Sequence, residues 1–430
     1  MDYGIADLLT LLGALGLFLY GMKVMSDALL ELAGDRMRKI LATTTSNRLF
    51  AVLTGFSITA IIQSSSATTL MVISFTNAGL LTLTEAIGVI MGANIGTTVT
   101  AWLISLFGFK VSISAMALPL VGMGFLLTLF RQRNYQQWGY FVIGFAVLFI
   151  GLQFLKDSVP DIRNNPEILS FLSSYTSMGF ISVLLFMATG AVLTMVVQSS
   201  SAAMALTLLM TYEGWVPFDM AAAMVLGQNI GTTITAYLAS LVANYQAKRA
   251  ARAHLIFNVL GVVWTLAAFY PFLRFVEFIA LRTEGASPFI EAAAVPVALS
   301  LFHTIFNVLN TVLLIGFINP LARFVERLVP EVVEKDAEID QPVYLNKASM
   351  EFSQAGIKAL FDESLRLLES AAYKAIAHGL SVHREDLHSG AGLKKLVSST
   401  ETIPVDINQL YATNIKSIYS QILEYATRLQ

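Results

Sequence analysis

The chain contains no cysteine, which excludes disulfide staples and thiolate metal centres. Charge is nearly as scarce. Asp, Glu, Lys and Arg make up 13% of the 430 residues, against about a quarter in ordinary soluble domains. The formal net charge is −2, and no basic face or stripe is present to neutralise a phosphate backbone, so no nucleic-acid partner is expected. No basic residue precedes Lys23, while Asp2 and Asp7 lie at the start of the first apolar run. That is not the pattern of a cleaved signal peptide, and the first helix is expected to stay in the membrane.

What fills the chain instead is apolar: 56% of residues are hydrophobic and mean hydropathy is +0.67. Between Arg48 and Lys110 the only charge is Glu85, and between Glu167 and Lys248 the only charges are Glu213 and Asp219. Stretches of at least the ~20 residues that cross a bilayer therefore recur, and the fold class is all-α, a polytopic membrane protein. Helical spans are expected near 5–30, 48–80, 85–108, 112–130, 138–156, 177–211, 217–243, 252–280 and 290–319.

Two polar words interrupt this apolar background, and both occur twice. Gln63-Ser64-Ser65-Ser66-Ala67 is followed by Gly92-Ala93-Asn94-Ile95-Gly96-Thr97-Thr98. The pair returns as Gln198-Ser199-Ser200-Ser201-Ala202 and Gly227-Gln228-Asn229-Ile230-Gly231-Thr232-Thr233. Gln63 and Asn94 are 31 positions apart, as are Gln198 and Asn229, and the copies are displaced by 135. Uncharged hydroxyl and amide oxygens inside apolar sequence suit an ion site, and their duplication points to a transporter built of two repeats. The segments holding the Gln-Ser-Ser-Ser words exceed one crossing and read as hairpins or broken helices.

The repeat extends upstream, where Gly21-Met22-Lys23-Val24-Met25-Ser26-Asp27 resembles Gly151-Leu152-Gln153-Phe154-Leu155-Lys156-Asp157. The loop after the first of these carries Arg36, Arg38, Lys39 and Arg48. Its counterpart has Lys156 and Arg163 set against Asp157, Asp161 and Glu167. By the positive-inside rule the loops lie on opposite sides of the membrane, so the repeats are inverted, with Lys248, Arg249, Arg252, Arg323 and Arg327 at cytoplasmic ends. The expected organisation is repeat 1 over 1–135, repeat 2 over 136–285, one more transmembrane helix over 286–322 and a charged linker over 323–344. Residues 345–430 then form a small cytoplasmic helical domain, with Leu360, Phe361, Leu365, Leu368 and Ala372 at helical spacing. Its small size suits packing on a second protomer or a regulatory partner.

Each word has a structural reading beside the functional one. A lone membrane serine usually returns its hydroxyl to the i−4 carbonyl or lets helices approach. Three consecutive serines cannot all face one neighbour, so some project into a polar space, and the freed N–H groups of a half-helix N-terminus there suit an anion. Gly92 to Gly96 and Gly227 to Gly231 are GxxxG packing signals, whereas the Asn and Thr oxygens beside them suit sodium. His254-Leu255-Ile256-Phe257-Asn258 and His303-Thr304-Ile305-Phe306-Asn307 place His and Asn on one helix face, expected to bond between helices. Glu85, in Thr82-x-x-Glu85, and Asp219 read as helix caps.

QSSSATT, GANIGTT, QSSSAA, GQNIGTT and HLIFN resemble the type II sodium-dependent phosphate cotransporter family over roughly residues 5–320, and the tail looks like a truncated PhoU-like domain, as in bacterial members. The resemblance implies a multi-pass protein of the inner (plasma) membrane that moves inorganic phosphate with sodium by alternating access, without enzymatic activity or any cofactor beyond sodium as coupling ion. Carried over residue by residue, Gln63, Ser64, Ser65, Ser66, Gln198, Ser199, Ser200 and Ser201 would surround phosphate and sodium, with Asn94, Thr97, Asn229 and Thr232 nearby. Animal members carry an HxFFN-like word after the first GxNIGT motif, where this chain has Ala115-Met116-Ala117-Leu118-Pro119-Leu120-Val121. With no carboxylate, Lys or Arg in the motif segments, sodium must supply countercharge, and two sodium ions per divalent phosphate are expected. The alternatives are a sodium-coupled carrier of another small anion, a phosphate exporter, a regulatory membrane protein that senses phosphate, or an intramembrane serine hydrolase pairing Ser66 or Ser201 with His254 or His303. The hydrolase lacks a Gly-x-Ser-x-Gly elbow.

Overall fold

The structure, a computed structural model, describes residues 5–43, 45, 47–110, 114–158, 174–241, 243–330, 342–345, 347–350, 353–368 and 411–429. Among these, every regular element is a helix. In chain order the helices are α1 (Ile5–Thr43), α2 (Arg48–Ile62), α3 (Ser65–Asn77), α4 (Leu83–Ile104), α5 (Ser114–Thr128), α6 (Arg133–Ser158), α7 (Phe180–Val197), α8 (Ser200–Tyr212), α9 (Phe218–Gly231) and α10 (Thr233–Ser240). They continue as α11 (Tyr245–Ala267), α12 (Phe269–Thr283), α13 (Val295–Leu314), α14 (Ile318–Leu328), α15 (Lys347–Met350), α16 (Ser353–Arg366) and α17 (Ser417–Leu429). Among the described residues, six helical segments are long and apolar enough to cross a membrane: Ile5–Gly34, Leu83–Lys110, Arg133–Ser158, Phe180–Val197, Tyr245–Ala267 and Ala292–Leu328. The chain is an all-α polytopic membrane protein, as its composition requires.

Most expected spans divide. The 48–80 stretch is α2 and α3, and 177–211 contains α7 and α8; both break at a Gln-Ser-Ser-Ser word. The 252–280 stretch breaks at Ala268, and the last stretch continues through a short 3-10 turn into α14, ending at Leu328. Thr82 and Glu85 form the expected capping box on α4. Asp219 sits in the first turn of α9, where its carboxylate accepts from the Met220 amide at 3.0 Å, while Pro217 occupies the cap position.

Small residues let the helices touch backbone to backbone. A Cβ on Gly55 would lie 1.9 Å from the Val89 carbonyl oxygen and one on Gly92 1.9 Å from that of Val52, so α2 and α4 meet where neither tolerates a side chain. The second copy repeats this in α7 and α9, where Gly190 would meet Met224 O at 2.1 Å and Gly227 would meet Met187 O at 1.8 Å. Without a hydrophobic force between lipid-solvated helices, this close packing supplies the association energy. α1 and α6 make a third such pair, with Gly21 against Leu148 and Gly151 against Phe18.

Around the breaks the two copies differ in a buried hydroxyl pair that the first has and the second lacks. Thr59 on α2 donates to Thr68 on α3 across 2.9 Å. The positions displaced by 135 are Thr194 and Ala203, and the Thr194 hydroxyl, 1% exposed, has no partner among the described residues.

α4 and α13 are joined by Ser300 Oγ to Ala101 O (3.1 Å) and Trp102 Nε1 to Thr304 Oγ1 (2.9 Å), and α11 and α13 by Asn310 Nδ2 to Phe257 O (3.3 Å). The bonds expected of the His-Asn words are absent between helices. Asn258 and Asn307 each return Nδ2 to the carbonyl of their own histidine, at 3.2 and 2.9 Å, and Nδ1 of both histidines has no partner among the described residues. The i, i+4 spacing itself explains this, because the nearest acceptor for a helical Asn is the i−4 carbonyl.

The tail docks on the far end of α3. Asn77 Nδ2 donates to Ser349 Oγ (3.3 Å), while Asn77 Oδ1 accepts from the Asn244 amide (2.8 Å). Glu363, 0% exposed, accepts from the Val343 and Tyr344 amides at 2.7 Å each and pairs with Arg366 at 2.8 Å. The buried face of α16 is Ala355, Gly356, Ala359 and Glu363, with Gly356 against Leu429 of α17. Phe361, Leu365 and Leu368, expected to form the apolar stripe, are exposed, and Ala372 lies outside the described residues. Small residues win the interface because they bring α16 and α17 into close contact. Asp161, Arg163 and Glu167, and the charges of the linker from Glu331 to Asp340, also lie outside the described residues.

Two stability contrasts test this packing. Gly92→Val must displace the Val52 carbonyl and is expected to cost about 1–3 kcal/mol or more, whereas Gly13→Val, which meets nothing within 4 Å, stays within about 0.5 kcal/mol. Thr59→Val loses a buried hydrogen bond worth about 1 kcal/mol, but Thr194→Val removes an unpaired hydroxyl and is expected to be neutral or stabilising. Thermal unfolding in detergent reads both contrasts. Equal losses at Thr59 and Thr194 would refute the asymmetry.

Candidate functional site

At each Gln-Ser-Ser-Ser word the chain makes the same two-residue reversal. α2 closes with the Gln63 amide donating to Thr59 O at 2.7 Å, and Gln63 itself turns left-handed at φ 60, ψ 25. Ser64, extended at φ −144, then caps α3 by accepting from the Ala67 amide at 3.2 Å. In the second copy Gln198 stands at φ 54, ψ 25, and Ser199, at φ −144, accepts from the Ala202 amide at 3.2 Å.

The glutamines are costly there. A left-handed non-glycine residue costs about 1–2 kcal/mol, and every other positive φ among the described residues belongs to glycine: Gly79, Gly179, Gly214 and Gly285. If only a turn were needed, glycine would serve at 63 and 198 as it does at those four. The amide side chains are therefore what these positions are built to present.

Both breaks open into one cavity of about 320 Å³. It is lined by Gln63, Ser64, Ser65 and Ser66, by Gln198, Ser199, Ser200 and Ser201, and by one face of α1: Leu19, Met22, Lys23, Ser26 and Asp27. The N-termini of α3 and α8 thus converge on one space. The first two amides of a helix have no acceptor within it, so Ser65, Ser66, Ser200 and Ser201 bring backbone N–H groups beside their hydroxyls, and two positive helix ends add to them. Such a lining suits an oxyanion. The same serine and glutamine oxygens can ligate a hard cation, and a site with both capabilities can hold an anion together with its counterion.

Neighbouring helices fix the first break more firmly than the second. Ser26 Oγ donates to Ile62 O at 3.0 Å, pinning α1 to the last residue of α2. Thr100 on α4 donates to Gln63 Oε1 at 3.0 Å, and Gln63 Nε2 returns to Ala60 O, leaving Gln63 7% exposed. Gln198 is exposed. α4 runs unbroken through its Asn word, whereas α9 ends at Gly231 and α10 begins at Thr233, with Thr232 at the junction.

Asn94, Thr97, Asn229 and Thr232 do not line the cavity. Asn94 and Asn229 donate to Ile90 O and Val225 O, both at 2.9 Å, and Thr97 donates to Ala93 O at 3.0 Å. They lie one helix behind the breaks, on the α4 and α9 segments whose glycines pack against α2 and α7. No hydrogen bond joins Ser66 or Ser201 to His254 or His303 among the described residues, and both histidines lie outside the cavity lining. A Ser-His hydrolase has no geometry here.

The residues that sequence reasoning missed are Lys23, Ser26 and Asp27. The signal was available, because Lys23 and Asp27 are the only charges between Asp7 and Glu31 in an apolar helix, where charge marks a functional position. The second copy of their word does something different: Lys156 donates to Gly108 O and lies 4.0 Å from the Phe109 ring centroid, and Gln153 is bonded to Asp157 at 2.8 Å. None of these lines the cavity.

The chain is 29% identical over 274 residues to the "Putative inorganic phosphate export protein YjbB" of Salmonella typhimurium, covering 64% of this chain and 49% of that one. It is 33% identical over 263 residues to the "Uncharacterized protein YqeW" of Bacillus subtilis, covering 60% and 82%. With the human "Sodium-dependent phosphate transport protein 2B" it shares 36% over 105 residues, 24% of this chain and 15% of that one. The chain thus spans about half the length of the export protein it matches. No solved structure matches it. Residues 17–157 and 165–279 match the family described as Na+/Pi-cotransporter, and since the two stretches contain all four Gln-Ser-Ser-Ser and Asn-Ile-Gly-Thr-Thr words, the chain belongs to that family.

Proposed function

We propose that the protein is a secondary transporter that carries inorganic phosphate together with sodium through the cavity between the two helix breaks. The observation that carries this reading is the convergence of Gln63–Ser66 and Gln198–Ser201 on one space of about 320 Å³ in a chain of the Na+/Pi-cotransporter family. Phosphate is bound by the serine hydroxyls and by the N-termini of α3 and α8, and sodium by serine, glutamine and freed backbone oxygens. Asn94, Thr97, Asn229 and Thr232 stand in the next layer, beside the glycines that pack against α2 and α7. The repeats, over 1–135 and 136–285, are inverted and rock about the site to give alternating access. The protein sits in the inner (plasma) membrane with residues 345–430 in the cytoplasm as a PhoU-like domain, which regulates transport or assembles protomers through its docking on Asn77.

Direction follows from the gradients. The same site supports uptake on an inward sodium gradient and export when phosphate is concentrated inside, and relatives named for phosphate export and for sodium-dependent transport both match this chain. Labelled phosphate flux in proteoliposomes, with sodium or potassium gradients imposed in each direction, decides among sodium-coupled uptake, sodium-independent export and transport of another anion. Sodium-driven phosphate flux is the expected result, and no phosphate movement under any gradient would refute the proposal.

Gln198→Gly separates side chain from turn. Glycine accepts φ 54 without strain, so the variant should melt no lower than the parent. Flux should nevertheless fall by more than about tenfold, the worth of one charge-assisted hydrogen bond. A well-folded Gln198→Gly protein with normal flux would remove the amide from the site.

A further inference from the structure

The motif residues that line the cavity are all uncharged, so its formal charge comes from a single turn of α1, Lys23 and Asp27. Ser26 fixes that turn against the break by donating to Ile62 O at 3.0 Å. Residues 23 and 27 stand at i, i+4, the spacing at which a lysine and an aspartate can pair. With lysine on the N-terminal side, however, the order is the weaker one for a helical ion pair. No ion pair joins them among the described residues, and both side chains are exposed at the cavity. Each charge is therefore free for a ligand. In the second copy the corresponding pair, Gln153 and Asp157, is bonded to itself and lies outside the cavity, so the fixed charge is supplied from one side only.

We infer that Lys23 is an anion-positioning residue of this cavity and that Asp27, one turn further along α1, takes the coupling cation, so that α1 sorts the two ions of the cargo. This rests on the transport reading above and adds a ligand pair that the duplicated words lack. An ammonium is a compact point charge suited to a phosphate oxyanion, and in a partly desolvated cleft it raises both capture rate and affinity for anions. Asp27 offers the only carboxylate in the lining, a hard oxygen ligand for sodium. Because the pair is net neutral, it orients a salt-like cargo without replacing the countercharge that sodium brings.

The absence of native cysteine allows the charge at position 23 to be removed and restored in one protein. Lys23→Cys, purified full length and reconstituted, is compared unmodified, after methylthiolation, and after aminoethylation, which returns a cation. The expected result is a rise of about tenfold in the KM for phosphate in the first two states, the worth of one charge-assisted hydrogen bond. Aminoethylation should recover most of it, with sodium half-saturation changed much less. Asp27→Asn should do the reverse, shifting sodium half-saturation more than phosphate KM. An unchanged phosphate KM in Lys23→Cys, or a rise that aminoethylation leaves in place while methylthiolation does the same, would overturn the assignment. Should Lys23→Cys not fold, Lys23→Arg against Lys23→Gln reads the same charge, and equal phosphate KM in that pair overturns it.

A second readout is independent of flux: phosphate, but not chloride at matched ionic strength, should slow aminoethylation of the thiol at position 23. Protection in a protein that moves no phosphate would sink the transport reading and keep the inference. Normal phosphate flux without protection and without a charge-dependent KM would do the opposite.

Discussion

A helix that stops within apolar sequence leaves amides and carbonyls that hydrocarbon cannot satisfy, and this chain stops two helices in that way, after Ile62 and after Val197. Its solution is the same both times. One residue turns left-handed so that its amide can close the outgoing helix, and the next extends so that its hydroxyl can cap the incoming one. The rest of the arrangement depends on those two reversals. They place two helix N-termini at a common space, put serine hydroxyls beside unpaired amides, and force a glutamine into a conformation that the chain elsewhere gives to glycine.

Holding a strained turn requires neighbours that cannot yield, and the close-packed glycines provide them. Gly55 against Val89, Gly92 against Val52, Gly190 against Met224 and Gly227 against Met187 bring helix backbones into contact along the helices that lead into the breaks, so α2 and α7 are each clamped to a partner before they reverse. Thr100 then reaches from α4 to Gln63, and Ser26 from α1 to Ile62. Among the described residues the second break lacks the corresponding bonds: Gln198 is exposed, the Thr194 hydroxyl has no partner, and α9 is interrupted at Thr232. Identical words thus sit in a firm and a loose environment. Two halves with one local chemistry and different support are what a carrier with two access states would exchange between them.

Much of this was legible in the sequence because it is written in spacing. Equal 31-residue separations revealed the duplication, excess length with polar middles revealed the broken helices, and GxxxG revealed the contact faces. The eight Gln-Ser-Ser-Ser residues were all found as cavity residues. Illegible was whatever depends on which helix faces which. The charges of Lys23 and Asp27 mark α1 as a candidate, but the aligned word Gln153, Lys156 and Asp157 is charged too and does not line the cavity, so only the placement of α1 across the first break decides. The His-Asn words failed for a related reason. Their i, i+4 spacing reads equally as a face toward another helix and as a bond back to its own carbonyl, and only packing chooses. In the tail, an apolar stripe was read where a small-residue face is the one buried.

The charge balance of the cavity constrains how any anion can use it. Lys23 and Asp27 cancel, and the remaining polar groups are hydroxyls, amides and helix ends. A phosphate cargo brings about −1.5 to −2 near neutral pH, and an unpaired charge of that size is strongly disfavoured in a cleft of low dielectric. The partial charges of two helix N-termini, roughly +0.5 each, offset part of it but remain after the anion leaves, so they favour occupancy in every state and cannot by themselves drive release. Mobile cations differ, since they enter and leave with the anion and their binding is worth most when it is present. Anion and cation affinities are then coupled in both directions by necessity. With the helix ends counted, about one mobile monovalent cation brings such an anion near neutrality, and any further cation would rest on the oxygens of the lining, among which Asp27 supplies the one carboxylate.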